Sequence, residues 1–221
     1  MKKILCITYR DWACNIYDML QESLPNHNFN IVRNRDDYRE SIITEYNPDI
    51  ILWYGWSWKV PARITDRYMS LCLHPSALPK YRGGSPIQNQ IIHNEKVSAV
   101  SIFKMNADVD GGDIIDQHPL SLLGNIPDIF TRMTDIGFTS TYNIITQCER
   151  NEPIKIYKQN EAHITKYNRR SPDESQLTIN EIQTKSAEYM YNKIRMLTGP
   201  YPSAYIEDKY GNKIYITDAK L

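Results

Sequence analysis

His74 ends a short apolar run and begins a segment that is rich in proline and glycine. Between residues 75 and 86 the chain has three prolines and a Gly83–Gly84 pair, a composition that predicts an ordered loop with few backbone choices. Histidine can act as a general acid or base because its imidazole titrates near neutral pH. The residues alone leave two roles open for His74, one in catalysis and one in stabilising the loop.

A second candidate group is the acidic and glycine-rich segment of residues 108 to 113, in which Asp110 lies 36 residues after His74. Its carboxylates could form a calcium-like loop. Aspartate beside glycine is also ordinary turn chemistry, so a solvated turn explains the segment equally well. Both interpretations of Asp110 stay open when the segment is taken alone, whereas its combination with the His74 segment is more specific.

Several other kinds of site are disfavoured by what the sequence lacks. Residues 9 to 14, which follow the first predicted strand, contain no glycine, so a dinucleotide-binding loop is disfavoured. The remaining histidines show no helical metal-binding spacing and are predicted to be ordinary polar residues; they are His27, His93, His118 and His163. The four cysteines fit neither a zinc ribbon nor a disulfide framework, so we predict no metal.

Length and charge narrow the class of protein further. The 221 residues predict one domain with an appendage, and 41% hydrophobic residues suffice for a sizeable core. Lys and Arg total 26, as do Asp and Glu, so no excess positive charge is available for general nucleic-acid binding. The apolar run at the N-terminus is too short for a signal peptide and no segment could span a bilayer, so we predict a cytoplasmic protein without a membrane partner.

Strands and helices are predicted to alternate along most of the chain. Strands are predicted at 4–8, 28–32, 50–54, 70–73 and 97–105, and helices at 12–24, 36–46, 87–92 and from Pro127 to about 150. This alternation indicates an α/β fold with a mostly parallel, Rossmann-like sheet and a binding crevice at the carboxyl ends of its strands. Polar residues 151–175 mark a boundary, so we predict a catalytic domain over 1–160 and a small C-terminal extension over 161–221, with a helix at 187–197 and a β-hairpin.

Two segments taken together resemble a known family. LHPSALPKYRGG at residues 73–84, followed by DGGDII at residues 110–115, is similar to the folate-dependent formyltransferases. The resemblance implies a Rossmann-like N-formyltransferase domain that binds 10-formyltetrahydrofolate. It also implies that His74 lies beside the formyl group and that Asp110 orients and charge-couples it, which favours the imidazolium that can stabilise an oxyanion.

Three flanking segments resemble one branch of that family. YGWSWKVP at 54–61, RRSPDES at 169–175 and GPYPSAY at 199–205 are similar to elements of sugar N-formyltransferases. The resemblance implies a nucleotide-linked amino or dideoxy sugar as acceptor and a role in polysaccharide biosynthesis. A methionyl-tRNA formyltransferase is the alternative, which the zero net charge and the roughly 20 residues after Pro200 make weaker. Outside the resemblance, Trp56 and Trp58 could equally be packing residues at a strand end.

The resemblance also assigns binding residues. Backbone groups near the folate would belong to Trp58, Lys59, Val60, Asn106, Asp108 and Asp110. The acceptor and its phosphates would be contacted by Lys80, Arg82, Gly83 and Tyr201. The C-terminal hairpin has an edge that could pair two copies of the chain across a two-fold axis, which predicts a homodimer.

Cys72 departs from the family pattern, which has asparagine at this position. A thiol donates hydrogen bonds more weakly than a carboxamide, and loss of one oxyanion donor costs roughly 2.7 to 4 kcal/mol. Three interpretations are open. His74 with backbone amides or water replaces the donor, or the chain is a catalytically silent homologue that binds folate or a nucleotide sugar, or Cys72 is itself a nucleophile that forms a formyl thioester.

Overall fold

A six-stranded sheet organises the chain, whose computed structural model describes residues 1–221. The strands are β1 Lys3–Ile7, β2 Asn28–Val32, β3 Ile50–Leu52, β4 Met69–His74, β5 Arg82–Gly83, β6 Val97–Lys104, β7 Ile114–Ser121, β8 Lys166–Tyr167, β9 Ala204–Glu207 and β10 Lys213–Ile216. The helices are α1 Asp11–Ser23, α2 Ser41–Tyr46, α3 Ala62–Thr65, α4 Pro86–Ile92, α5 Ile126–Glu149, α6 Ile179–Thr184 and α7 Ala187–Arg195. Short 3₁₀ turns cover Glu161–His163 and Pro172–Ser175.

The strand order of the large sheet is β2-β1-β3-β4-β6-β7. The first four strands run parallel, while β6 and β7 pair antiparallel at one edge. The predicted α/β fold with a mostly parallel sheet is confirmed. The outermost strand β7 was not predicted, because Pro119 and its polar neighbours are not typical of a strand. Proline has no backbone N–H to donate, and an edge strand tolerates this because it has a neighbouring strand on one side only.

Hydrophobic residues cover both faces of the sheet. Successive residues of β1 alternate between two clusters, with Ile4 and Cys6 in a 29-residue cluster and Leu5 and Ile7 in a nine-residue cluster. The large cluster includes residues of α1 and α5, and the small one includes residues of α2 and α3. A strand that is buried on both faces needs the continuous apolar sequence that β1 has.

The boundaries of most elements agree with the sequence-based prediction, and α2 is the main exception. We predicted a helix from residue 36, but the helix begins at Ser41. The Asn34 side chain donates to the Asp37 carboxylate at 2.9 Å, and such local side-chain bonds stabilise turns in competition with helix. The start of α5 is confirmed, since Asn125 and Asp128 form a capping box and Pro127 lies in the first turn.

The C-terminal residues pack onto the same core as the rest of the chain. Leu177, Ile194 and Leu197 belong to the 29-residue cluster, and β8 pairs with β5 within the loop that follows His74. The predicted hairpin is formed by β9 and β10. The predicted segments 1–160 and 161–221 therefore share one hydrophobic core. None of the helices is both long enough and apolar enough to cross a membrane.

A buried tyrosine connects α1 to the centre of the sheet. The Tyr17 hydroxyl donates to the Leu52 carbonyl at 2.9 Å and accepts from the backbone N–H of Tyr54 at the same distance. Both backbone groups lie just where β3 ends, so this hydroxyl fixes the start of the segment that carries Trp56 and Trp58.

We expect Tyr17→Phe to destabilise the fold by about 1–3 kcal/mol, because two buried backbone groups lose their partner. Urea unfolding followed by circular dichroism measures the change. Tyr210→Phe is the control, since its ring is 77% exposed, and should leave the midpoint unchanged. Equal midpoints for wild type and Tyr17→Phe would contradict the role assigned to this hydroxyl.

Candidate active site

A cleft of about 710 Å³ opens at the carboxyl ends of the parallel strands. β1 has β2 on one side and β3 on the other, so the chain reverses its direction of travel through the sheet at this point. Open α/β sheets bind ligands where the strand order reverses. Residues that follow β1, β3 and β4 line the cleft, and they include Arg10, the segment 55–60 and His74. The volume lies within the range of small-molecule sites.

His74 and Asp110 meet at one wall of this cleft. The Nδ1 atom of His74 lies 3.5 Å from Oδ2 of Asp110, and both side chains are largely buried. The other ring nitrogen, Nε2, lies 2.8 Å from the carbonyl oxygen of Tyr81. Both neighbours of the ring are hydrogen-bond acceptors, and together they fix the orientation of the imidazole in the wall of the cleft.

The loop after His74 is held by a hydrogen bond from β6 and by bonds within the loop itself. The Ser101 hydroxyl, opposite His74 on β6, donates to the Ser76 carbonyl at 2.6 Å. The Ser76 hydroxyl in turn donates to the Lys80 carbonyl at 2.6 Å. Gly83 has a φ of +97°, and a Cβ there would lie 2.3 Å from the Tyr167 carbonyl oxygen. Only glycine therefore permits the pairing of β5 with β8, which completes the ordered loop.

The loop that carries Asp110 is fixed by a single carboxamide. The Nε2 atom of Gln159 donates to the carbonyls of Asp110 and Gly112, at 2.8 and 2.7 Å, while its Oε1 accepts from the Arg82 guanidinium. At Gly112 a Cβ would lie 1.7 Å from the Lys104 carbonyl oxygen, so no larger residue fits. The Asp110 carboxylate accepts from the Gly83 N–H at 2.8 Å, which joins the two candidate segments directly.

Cys72 lines the cleft, but its sulfur is held by the protein. The thiol donates to the carbonyls of Trp53, at 3.5 Å, and Leu73, at 3.7 Å. Burial raises the pKa of this thiol well above its usual value, and the charge of Asp110 acts in the same direction. A thiol that stays protonated is a poor nucleophile. The geometry therefore disfavours the interpretation of Cys72 as the nucleophile.

Aromatic and basic side chains form the opposite wall. The rings of Trp56 and Trp58 lie 4.8 Å apart, and Tyr9 packs edge-on against Trp58 at 5.1 Å. The Arg169 guanidinium donates to the Ser57 hydroxyl at 2.7 Å, which places the C-terminal RRSPDES segment at the cleft. Arg10, Lys59, Arg169 and Arg170 all line this region, so it can bind an anion.

Comparison with known proteins identifies the family. The model of the family described as formyl transferase matches residues 6–125, which is more than half of the chain. The chain belongs to the formyl transferase family. A methionyl-tRNA formyltransferase of Ehrlichia ruminantium is 30% identical over 168 residues, covering 74% of this chain and 52% of the relative. The chain thus spans about half the length of the curated relatives it matches.

Solved structures show the same fold. A methionyl-tRNA formyltransferase from Clostridium thermocellum superimposes with a TM-score of 0.82 at 29% identity, and the match covers 98% of this formyl transferase chain and 97% of the other. A 4-N formyltransferase from Francisella tularensis superimposes with a TM-score of 0.78 at 18% identity, covering 100% and 98%. The second likeness shows the fold alone.

The structure brings most of the predicted site residues of this formyl transferase family member to the cleft. The residues at the cleft are Cys72, His74, Trp58, Lys59, Val60, Asn106, Asp108, Asp110, Gly83 and Tyr201. Two do not line it. The Arg82 guanidinium is buried against Gln159, and Lys80 is exposed outside the cleft. A motif indicates which residues share a loop but not which way each side chain points.

Other residues of the cleft were missed by the sequence analysis. Arg10 follows β1 at the reversal of strand order, a position that only the strand order reveals. Phe130 and Met133 reach the cleft from α5, a helix to which the sequence analysis assigned no residue of the site. Gln88 lies on α4 within a run of polar residues and carried no signal. No group of three or more potential ligand side chains is arranged around a metal position.

We expect iodoacetamide at pH 8 to alkylate Cys72 far more slowly in the folded protein than after unfolding in urea, because the raised pKa leaves little thiolate. Peptide mass spectrometry measures the rate for each cysteine, and Cys14, whose exposure is intermediate like that of Cys72, serves as the internal reference. Modification of folded Cys72 as fast as in the unfolded chain would restore the nucleophile interpretation.

Proposed function

We propose that this protein transfers a formyl group from 10-formyltetrahydrofolate to the amine of a nucleotide-linked amino sugar. The observation that carries the proposal is the His74–Asp110 pair at 3.5 Å, on the wall of a cleft whose opposite side is aromatic and basic. The membership of the formyl transferase family supplies the class of reaction. The enzyme would be a one-carbon transferase that serves polysaccharide biosynthesis.

The reaction needs hydrogen-bond donors and a route for one proton. The acceptor amine attacks the formyl carbon, the new C–N bond forms, and the bond to the folate N10 then breaks, which releases tetrahydrofolate. Negative charge develops on the formyl oxygen, so a donor must lie beside it. In the proposal the carboxylate of Asp110 orients the His74 ring from Nδ1, and Nε2 donates to the formyl oxygen in place of its contact with the Tyr81 carbonyl. The proton that the attacking amine loses is delivered to the folate N10 as the bond to N10 breaks, so the exchange of one N–C bond for another is balanced by the transfer of one proton.

The folate is proposed to bind near the segments that follow β3 and β6. Backbone groups of Trp58, Lys59, Val60, Asn106 and Asp108 line this part of the cleft. The donor set fits a heterocycle, because backbone N–H and C=O groups can pair with a planar ring while Val60 and Trp58 cover its apolar surface. The folate supplies the activated formyl group, and this chain's residues bind and orient it.

The acceptor is proposed to lie between Gly83 and the C-terminal segment. Arg10, Arg169 and Lys59 line that region and suit a diphosphate, since guanidinium groups bind phosphate oxygens bidentately. Tyr201 reaches the cleft beside Phe130, with ring centroids 6.2 Å apart. Lys80 and Arg82 are not proposed as phosphate ligands, because neither lines the cleft.

Methionyl-tRNA is the second candidate acceptor. The names of the Ehrlichia and Clostridium proteins favour it, and the latter resembles this chain over its whole length. A catalytically silent protein that binds folate or a nucleotide sugar is the third, since the Cys72 thiol bonds to backbone carbonyls and offers no strong donor. The neutral net charge favours the sugar over the nucleic acid.

Turnover distinguishes the three candidates. The full chain is incubated with 10-formyltetrahydrofolate and either a panel of 4-amino-4,6-dideoxysugar nucleotides or charged initiator methionyl-tRNA. Release of tetrahydrofolate is followed by absorbance, and the N-formyl product is identified by mass spectrometry. We expect product with an amino sugar. Product only with the tRNA would select the second candidate, and no product with either would select the third.

We expect His74→Ala and Asp110→Asn each to lower kcat/KM by roughly 100-fold or more while the protein stays folded, as loss of acid–base groups does in other enzymes. His118 and Asp116 provide a matched control, because they form an exposed pair at 3.1 Å outside the cleft. His118→Ala and Asp116→Asn should keep wild-type rates. Equal losses in both pairs would show that the effect does not come from the site.

The homodimer is proposed to form through the C-terminal hairpin. β10 is a free edge of the two-stranded sheet, and the side chains of Ile214 and Tyr215 are exposed there. A free strand edge can pair with its symmetry mate across a two-fold axis.

We therefore expect sedimentation to give a dimer for the wild type and a monomer for Ile214→Lys at the same concentration. Ile179→Lys, at an equally exposed position on α6, should remain a dimer. A monomeric wild type would overturn this part of the proposal.

A further inference from the structure

Two glutamines on α4 form a natural comparison. Gln88 and Gln90 are 3% and 2% exposed, so both carboxamides have been removed from water. A buried carboxamide that makes no hydrogen bond lowers the stability of a fold, so buried amides are nearly always paired. The two residues share a helix, a side-chain type and a degree of burial, and they differ in their partners.

Gln90 is fully used by the fold. Its Nε2 donates to the carbonyls of Pro75 and Pro86, at 2.8 and 2.9 Å, and its Oε1 accepts from the Ser98 hydroxyl. These bonds fasten α4 to the loop after His74 and to β6. Gln90 is therefore a structural residue.

Gln88 makes no comparable hydrogen bonds within the fold. Its Nε2 is buried and has no hydrogen-bond partner, yet the residue lines the cleft that contains His74. A half-turn about the last side-chain torsion exchanges Nε2 and Oε1, so the carboxamide can present either a donor or an acceptor to the cleft. An amide kept unpaired in a binding cleft is suited to a partner that arrives with the ligand.

The position of Gln88 indicates which ligand that is. Ser85 is the residue before α4, and Asn89, the residue after Gln88, donates to the Asn168 carbonyl at 3.4 Å. The Ser85 hydroxyl accepts from the backbone N–H of Arg170 at 3.1 Å. The first turn of α4, which carries Gln88, therefore lies against residues 168–170, and Gln88 lines the same cleft as Arg169 and Arg170, where the acceptor is proposed to bind.

We propose that Gln88 binds a hydroxyl of the acceptor sugar and thereby positions its amine beside His74. The inference rests on the proposed sugar acceptor and deepens it. A hydroxyl both donates and accepts a hydrogen bond, as does a carboxamide, so one group can satisfy the other. Gln88 thus contributes to recognition of the acceptor, and this role does not depend on what Cys72 does.

The matched variants Gln88→Met and Gln90→Met test the proposal, since methionine keeps the length and approximate volume of the side chain. We measure the melting temperature of each variant, and kcat and KM for both substrates in the formyl-transfer assay. Gln88→Met should melt within about 2 °C of the wild type, because no bond within the protein is lost. Its kcat/KM for the amino sugar should fall roughly 10- to 100-fold, as expected when a ligand hydroxyl loses its partner in a cleft.

The same measurements give the contrasting results for Gln90. Gln90→Met should melt about 5 °C or more below the wild type, because three bonds within the fold are lost. The KM for 10-formyltetrahydrofolate should stay near the wild-type value in Gln88→Met. With an acceptor that lacks the hydroxyl bound by Gln88, wild type and Gln88→Met should react at similar rates.

Three results would overturn the proposal. The first is that Gln88→Met melts as low as Gln90→Met, which would make Gln88 structural. The second is that Gln88→Met keeps the wild-type kcat/KM for every acceptor. The third is that the only defect of Gln88→Met is a raised KM for 10-formyltetrahydrofolate. If the wild type forms no product with any amino sugar, the proposed function is wrong, and this result is distinguishable from a failure of the Gln88 proposal alone.

Discussion

One carboxylate holds the two halves of the site together. Oδ2 of Asp110 lies 3.5 Å from the imidazole of His74 and accepts the Gly83 N–H at 2.8 Å, so a single oxygen connects a strand end, a glycine turn and the loop after β6. Asp110 itself has a φ of +51°, a backbone conformation that residues other than glycine adopt rarely. The fold maintains it through Gln159, whose amide bonds to the backbone on both sides of Gly111. The histidine, the ordered loop after it and the loop after β6 all depend on this arrangement.

Much of the fold could be read from the sequence because it depends on local periodicity. The apolar strands, α1, α5 and the C-terminal hairpin follow from hydrophobic patterns and caps, whereas the meeting of His74 with Asp110 was implied only by the resemblance of their two segments to a known family. Antiparallel β7 could not be predicted, because an edge strand need not be apolar and its pairing with β6 is a matter of tertiary structure. The same limit applies to side-chain direction. Arg82 shares a motif with His74, yet Gln159, 77 residues away, determines where its guanidinium points.

At Cys72 the chain keeps the fold of its family but departs from the residue that the family pattern has at this position. The thiol bonds to main-chain carbonyls, so the position usually filled by a carboxamide contributes little polarity to the cleft here. Burial of the sulfur suits a small apolar residue beside the Trp53 strand end. Whatever stabilises an oxyanion in this chain must therefore come from the imidazole, from main-chain N–H groups or from water.

The placement of the indole rings has a practical consequence. The chain contains four tryptophans; Trp12, Trp56 and Trp58 line the cleft, and Trp53 packs against Trp56 with ring centroids 6.0 Å apart. None lies elsewhere in the molecule. Tryptophan emission, excited where tyrosine does not absorb, consequently originates at or beside the cleft, and its quenching or spectral shift on titration reports occupancy of the cleft without any attached dye.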